Sequence, residues 1–176
     1  MINPFQKDRK TRTFQKELYQ LHYRRIYNIC LRIIGNSMEA EEAMQDVFLK
    51  IFDNIDNLRD EKAFYSWSQS AAIRTAIDRV RKHKPVFEPV DNLSIADEEP
   101  EDEIDEEQEL SVESVKSEMN NLSDGYRIVL SMRLFEECEF EEIAQALQIK
   151  ESTVRSQYIR GRDKLAKMLK SKMNKQ

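Results

Sequence analysis

The sequence predicts an all-α protein made of two small helical domains joined by an acidic, flexible linker. Three observations carry that expectation. Apolar residues recur at three- and four-residue spacing in several separate stretches, the pattern of one-sided helices. Only 3 Gly and 4 Pro among 176 residues leave few places for the tight turns of an all-β chain. Between Asp91 and Glu109 stand eleven Asp/Glu and no Lys or Arg, a run that repels itself and buries no core.

The chain thus divides into a basic arm over residues 1–13, a helical domain over 14–88, the acidic linker over 89–110 and a second helical domain over 111–176. In the first domain Leu18, Leu21, Tyr23, Ile26, Tyr27, Cys30, Leu31 and Ile34 trace one helical face, and Gly35-Asn36 suits a left-handed helix end. Ser37 is placed to cap the next helix, whose start is acidic at Glu39, Glu41 and Glu42. Its apolar stripe is Met44, Val47, Phe48, Ile51, Phe52 and Ile55, which leaves Glu41, Glu42, Gln45, Asp46, Leu49 and Asp53 for other faces. After a polar loop over 56–62, a third helix over 63–82 carries Phe64, Trp67, Ala71, Ala72, Ala76, Ile77 and Val80.

In the second domain Val112, Val115, Met119 and Leu122 begin the helical pattern, and Val129, Leu130 and Leu134 continue it. Residues 139–165 then organise the domain. Phe140, Ile143, Ala144 and Leu147 make one apolar face, and Ile149 points inward from a turn. Ser152 or Thr153 is placed to cap the following helix while Val154 packs back. Small Ala144 leaves room for two helices to cross steeply. That is the spacing of a helix-turn-helix, whose second helix is free to enter a DNA major groove.

Charge supports contact with nucleic acid. The chain carries −5 overall, yet between Gln148 and Gln176 nine Lys/Arg face two acids, a local charge of +7. Arg155, Ser156, Gln157, Arg160 and Arg162 can donate to phosphates or base edges. A second basic cluster, Arg74, Arg79, Arg81, Lys82 and Lys84, closes the third helix, which opens with Phe64, Tyr65 and Trp67. Rings beside cations suit unstacked bases. Phe64 and Trp67 are also placed as core residues, so Tyr65 and the loop before it are better placed to reach a base. The acidic run reads as a solubilising spacer or as an imitation of a nucleic-acid backbone inside a basic channel.

Other classes are disfavoured. Cys30 and Cys138 lie far apart, His22 and His83 are isolated, and no cofactor or metal site is expected. No segment is apolar enough to span a membrane and the polar N-terminus is unlike a signal peptide, so a cytoplasmic protein is expected. No pair of carboxylates falls beside a nucleophile or base in an apolar setting, so no reaction of its own is expected.

From about Leu18 to Leu169 the chain resembles an extracytoplasmic-function (group IV) sigma factor of bacterial RNA polymerase. EAEEAMQDVFLKIF resembles that family's polymerase-binding helix, and FYSWSQSAAIRTAIDRVRKHKP its strand-melting, −10-reading helix. NNLSDGYRIVLSMRLFEECEFEEIAQAL is similar to the first half of its −35-reading domain, and ESTVRSQYIRGRDKL to the recognition helix. The resemblance implies a region 2-like bundle and a region 4-like helix-turn-helix, with core polymerase (clamp coiled coil and flap) and promoter DNA as partners and an anti-sigma factor as regulator. It implies polymerase binding through Glu41, Glu42, Gln45, Asp46, Phe48, Leu49 and Asp53. It implies contact with single-stranded −10 DNA through Arg59, Lys62, Phe64, Tyr65, Trp67, Arg74, Arg79, Arg81 and Lys82. It implies reading of double-stranded −35 DNA through Ser152, Thr153, Arg155, Ser156, Gln157, Ile159, Arg160 and Arg162, and a tether that threads the polymerase near its active site and RNA exit.

Three positions depart from the family pattern. Arg74 stands where Asn usually helps form the base pocket, which favours phosphate holding over base selectivity. Gly161 replaces a common Ala and lets the recognition helix approach or bend at DNA. Glu137-Cys138 replaces the usual Gly, so the preceding turn must be built differently. Other readings stay open at this point: a stand-alone helix-turn-helix regulator, a sigma-like mimic that does not open DNA, and a sigma delivered by a separate recruiting factor.

Overall fold

The computed structural model describes residues 11–57, 60–83 and 112–173. Among them are seven α-helices and no strand: α1 (Arg12–Ile34), α2 (Ser37–Asp53), α3 (Glu61–His83), α4 (Val112–Asn120), α5 (Asp124–Leu134), α6 (Phe140–Leu147) and α7 (Glu151–Met173), with a 3-10 turn at Ile55–Asn57. The basic arm before residue 11, Leu58, Arg59 and the acidic linker lie outside the described residues.

Thr11 starts α1 by accepting a hydrogen bond from the Phe14 N–H at 3.3 Å, and Gly35, at φ 78°, ends it by donating to Leu31 O at 2.8 Å. The cap of α2 is Asn36 rather than Ser37. Extended backbone at Asn36 aims its side-chain oxygen at the Glu39 N–H, 3.0 Å away, whereas Ser37 is already helical. Leu21, expected on the apolar face of α1, is 64% exposed, and His22 takes the interior place beside it. Its ring packs on Phe64, and burial pushes its pKa down to about 4, with the neighbouring Arg25 charge adding to the effect.

α1, α2 and α3 form a three-helix bundle around Phe14, Leu18, Ile26, Val47, Ile51 and Phe64. Ala40, Ala43, Ala72 and Ala76 are fully buried, so the helices approach closely. In the second domain Met119, Leu122, Leu130, Leu165 and Leu169 make a small core for α4, α5 and α7. Leu134, placed in the core by its spacing, is 47% exposed, and Met132 fills the interior instead.

Helices α6 and α7 form the expected helix-turn-helix. Gln148 turns left-handed at φ 54°, the Ile149 N–H reaches Ala144 O at 3.1 Å, and Ile149 packs inward. Neither Ser152 nor Thr153 caps α7. The helix already begins at Glu151, and Lys150 O accepts from the N–H groups of Thr153 and Val154 at 3.0 and 3.1 Å. The turn before α6 is built with Glu137 in the left-handed region at φ 57°, where the family's Gly would stand. Gly161 is buried against α5, where an added Cβ would lie 3.1 Å from Tyr126 Cβ and 3.3 Å from a Leu130 methyl. Its smallness serves helix packing inside the protein, not approach to DNA.

The two domains are packed together. The main core runs on from the first bundle into Ile128, Val129, Met132, Ile143, Ala144 and Leu147. α5 lies along α1, and the link between them is polar as well as apolar. Buried Arg127 donates to Ile33 O and Ile34 O at 3.1 Å each, satisfying carbonyls at the end of α1, and pairs with Asp124 at 2.6 Å. The Ser131 hydroxyl donates to Arg32 O at 3.1 Å.

Candidate functional site

Three surfaces follow from this frame. The first is the outer face of α2. The stripe Ala43, Met44, Val47, Phe48 and Ile51 is drawn into the bundle, so the rest of the helix must face outward. Glu41, Glu42, Gln45, Leu49 and Asp53 are exposed and Asp46 is half-exposed, with Leu49 at 62%. Phe48 is the correction: at 3% exposure its ring belongs to the core, against Tyr19 and Phe52, and it offers no outer contact.

The acids on this face have a cation of their own. Arg79 reaches across from α3 to Glu42 at 2.5 Å and Asp46 at 2.8 Å, and those two hydrogen bonds hold its guanidinium above its usual pKa, Asp46 most strongly. Arg79 therefore belongs to the α2 face, on the side of α3 away from Arg74, and is engaged there rather than offered to DNA.

The second surface is the outer side of α3. Phe64 is fully buried and serves as core, and Trp67 is half-buried against the same cluster. Tyr65 is 48% exposed, as expected of a ring that could stack on a base. Arg25, a residue that the sequence did not single out, lies over the Tyr65 ring, its guanidinium carbon 3.7 Å from the centroid, and also hydrogen-bonds Ser68 Oγ. Burial lowers the Arg25 pKa, countered by Tyr65 and then Glu136. Lys62, Arg74 and Lys82 are exposed, and Arg59 is outside the described residues. Arg81 is occupied: it donates to Leu147 O, the last carbonyl of α6, at 2.7 Å.

Between α3 and the α5–α6 turn lies a groove of about 770 Å³. Gln69, Arg74 and Arg81 line one wall, and Glu136, Glu137 and Glu142 line the other. Glu136 is the most engaged of these acids. Its carboxylate pairs with Arg32 of α1 and accepts from Gln69 Nε2 at 3.2 Å, and Gln69 also donates to Glu136 O at 3.0 Å.

The third surface is the outward side of α7. Val154, Gly161, Leu165 and Leu169 face inward at helical spacing. Ser152 and Arg155 are exposed, and Thr153, Ser156, Gln157, Ile159, Arg160 and Arg162 are half-exposed around them. Arg155 is steadied by Glu151 at 2.5 Å and by the Phe140 ring 4.7 Å away. These side chains give the face several hydrogen-bond donors of the kind that pair with phosphates and base edges.

Among the described residues no group of His, Cys, Asp and Glu is arranged to hold a metal, and no helix is long and apolar enough to cross a membrane. Burial pushes the Cys30 thiol up to about 12 and the Cys138 thiol up to about 11, away from thiolate chemistry.

The two domains coincide with two family models. Residues 18–86 match Sigma-70 region 2, and residues 113–165 match Sigma-70 region 4. The chain is 29% identical over 164 residues to the ECF RNA polymerase sigma factor SigW of Bacillus subtilis, covering 88% of each chain. It is 29% identical over 174 residues to the RNA polymerase sigma-H factor of Pseudomonas aeruginosa, covering 87% of this chain and 85% of that one. The fold is similar to that of the sigma factor RpoE of Bartonella quintana, solved in complex with the anti-sigma factor NepR. That likeness has a TM-score of 0.57 at 17% identity and covers 88% of this chain and 96% of that one.

Proposed function

The chain belongs to the sigma-70 family as an extracytoplasmic-function member, and from that membership we propose how its surfaces divide the work of transcription initiation. The outer face of α2 docks on the clamp coiled coil of core polymerase, the α3 face captures an unstacked base of the −10 strand, and α7 enters the −35 major groove. The observation that carries this reading is the α2 face, where Leu49 stands exposed among Glu41, Glu42, Gln45, Asp46 and Asp53. A stand-alone helix-turn-helix regulator has no use for that face. The protein acts in the cytoplasm as a non-catalytic specificity subunit, and an anti-sigma factor is a natural regulator.

The described arrangement is a closed one. The −10 and −35 elements are centred about 25 base pairs apart, about 85 Å of duplex at 3.4 Å per step. A compact chain of 176 residues has a radius of gyration of about 16 Å, a body about 40 Å across. The packed domains therefore cannot serve both elements at once. They must part along the α1–α5 seam, and docking on polymerase is what holds them apart. Arg74 on the α3 face supports phosphate holding with reduced base selectivity, which leaves room for a recruiting factor.

The test is run-off transcription with purified core polymerase, with and without the protein, on a genomic fragment library. Discrete new transcripts sharing an upstream element support the proposal. Polymerase binding without transcripts points to dependence on a recruiting partner, and specific duplex binding without polymerase overturns the proposal in favour of a regulator.

A further inference from the structure

The carboxylate of Glu136 is 6% exposed and sits among groups contributed by the other domain. Arg32 pairs with it from α1 and Gln69 donates to it from α3. Arg25 lies two helical turns before Arg32 on the same α1, its guanidinium over the Tyr65 ring and bonded to Ser68 Oγ of α3. Within this small region two buried donors lack a hydrogen-bond partner, Arg25 Nε and Arg32 Nε. Two guanidinium groups with spare donors, an amide donor and a single carboxylate make a site with more capacity for anionic oxygen than Glu136 supplies. A backbone phosphate carries the same single charge on two outer oxygens and adds two ester oxygens, so it can take the place of Glu136 on that donor set. The site also borders Tyr65, over whose ring Arg25 lies.

The geometry points to a backbone-phosphate subsite for the melted promoter strand, formed by Arg32, Gln69 and Arg25, which Glu136 occupies as an internal substitute while the domains are closed. This rests on the sigma-factor reading above and adds to it a named site and a means of regulation. In the closed form the C-terminal domain places an acid where the strand would run. When the domains part, Glu136 leaves with α5, and the vacated cations lie beside the Tyr65 ring. Base stacking on Tyr65 and phosphate pairing at Arg32 are then neighbouring contacts on one strand. The protein would thus exclude single-stranded DNA until polymerase has opened it.

The experiment compares the full-length wild type with Glu136→Gln and Glu137→Gln, using fluorescence anisotropy with a labelled single-stranded DNA oligonucleotide over a salt series. Glu137→Gln makes the same charge change on an exposed neighbour in the same turn. Glu136→Gln is expected to tighten binding about tenfold, in line with a hydrogen-bonded charged contact, and Glu137→Gln to change it little. Adding Arg32→Ala to Glu136→Gln should cancel the gain and lower the salt slope by about 0.7, the value for one phosphate on a single strand. Gln69→Ala in the same background, with a thermal melt of each variant, provides a second reading should Arg32→Ala loosen α1.

Equal gains from Glu136→Gln and Glu137→Gln overturn the subsite, because net charge alone then explains them. So does a gain that survives both Arg32→Ala and Gln69→Ala. Run-off transcription by the wild type is read in parallel. Transcription without a specific Glu136→Gln gain removes only the subsite, whereas the gain without transcription removes the sigma reading and leaves the subsite standing.

Discussion

Arg127 is where closure of the two domains can be tested most directly. Its guanidinium donates to Ile33 O and Ile34 O in the first domain and to Leu122 O in its own, and pairs with Asp124. Arg127→Met keeps the apolar stem and removes every donor. Hydrogen bonds to a charged group contribute about 1.5–3 kcal/mol each, and removing one member of a buried pair costs about 3–5 kcal/mol. The two bonds to α1 exist only in the closed form. The carbonyls they satisfy become wet once the domains part, so much of their gross energy is recovered from water. A net loss of about 2–3 kcal/mol in closure remains, a shift of about 30- to 150-fold in the equilibrium at 1.4 kcal/mol per tenfold.

Two assays read that shift. Small-angle scattering should show a larger radius of gyration for Arg127→Met than for wild type. Urea unfolding should change from one transition, in which the shared core melts as a unit, to two transitions of smaller slope. The bonds to Leu122 O and Asp124 lie within the second domain, so that domain's own transition should also move to lower urea. An unchanged radius together with a single transition shifted by less than about 1 kcal/mol would refute the role given to Arg127. The seam would then be held by its apolar contacts alone.

Other outcomes follow from the same geometry. Asp46→Ala with Leu49→Ala should abolish co-elution with core polymerase while lowering stability by no more than about 1 kcal/mol, since the Asp46–Arg79 pair is half-exposed; unfolding of this variant would show that the α2 face supports the bundle. Arg155→Ala with Arg160→Ala should weaken binding to a −35 duplex by about 1–3 kcal/mol for each arginine that reads a base, with polymerase association unchanged in the same pull-down. Glu137→Gly should raise the melting temperature through relief of about 1 kcal/mol of left-handed strain, and a lower melting temperature would mean that the Glu137 side chain stabilises the turn. His22 has its pKa depressed from 6.5 to about 4, so its effect on stability is neutral above pH 6.5 and unfavourable below, as the unfolded state takes up the proton first. Acid melts should show a loss of up to about 3 kcal/mol between pH 6.5 and 4 that His22→Leu removes.

The elements themselves were legible because each helix buries one stripe, and periodicity reports a stripe without reference to its partner. Where that logic failed, it failed for local reasons. Leu21 and His22 are adjacent, so the apolar residue looked like the inward one, yet the helix phase set by Leu18 and Ile26 gives the interior place to His22. Phe48 and Phe64 fall on the apolar stripes of their helices, yet the family resemblance also implies them as contacts, and the packing settles both rings as core. Gly161 was visible as an exception but not its cause, since the tight approach of Tyr126 lies on another helix.

What the sequence could not disclose is the closed seam. Arg127 and Ile33 are 94 residues apart, and Arg32 and Glu136 are 104 apart, with the acidic linker between them. No periodic signal connects such partners, and a charged residue within an amphipathic helix is expected on the outside. The seam is nevertheless the feature that gives the charges their roles. Arg79 and Arg81 both look free to bind DNA; Arg79 is engaged by α2 within its own domain, whereas across the seam Arg81 is engaged by the last carbonyl of α6 and Arg32 by Glu136 in the turn after α5. Counting the basic residues of the first domain thus overstates what the closed chain can offer a promoter. For Arg81 and Arg32 that availability depends on whether the domains are together, so on the proposed reading closure, and not composition alone, sets affinity for a melted strand.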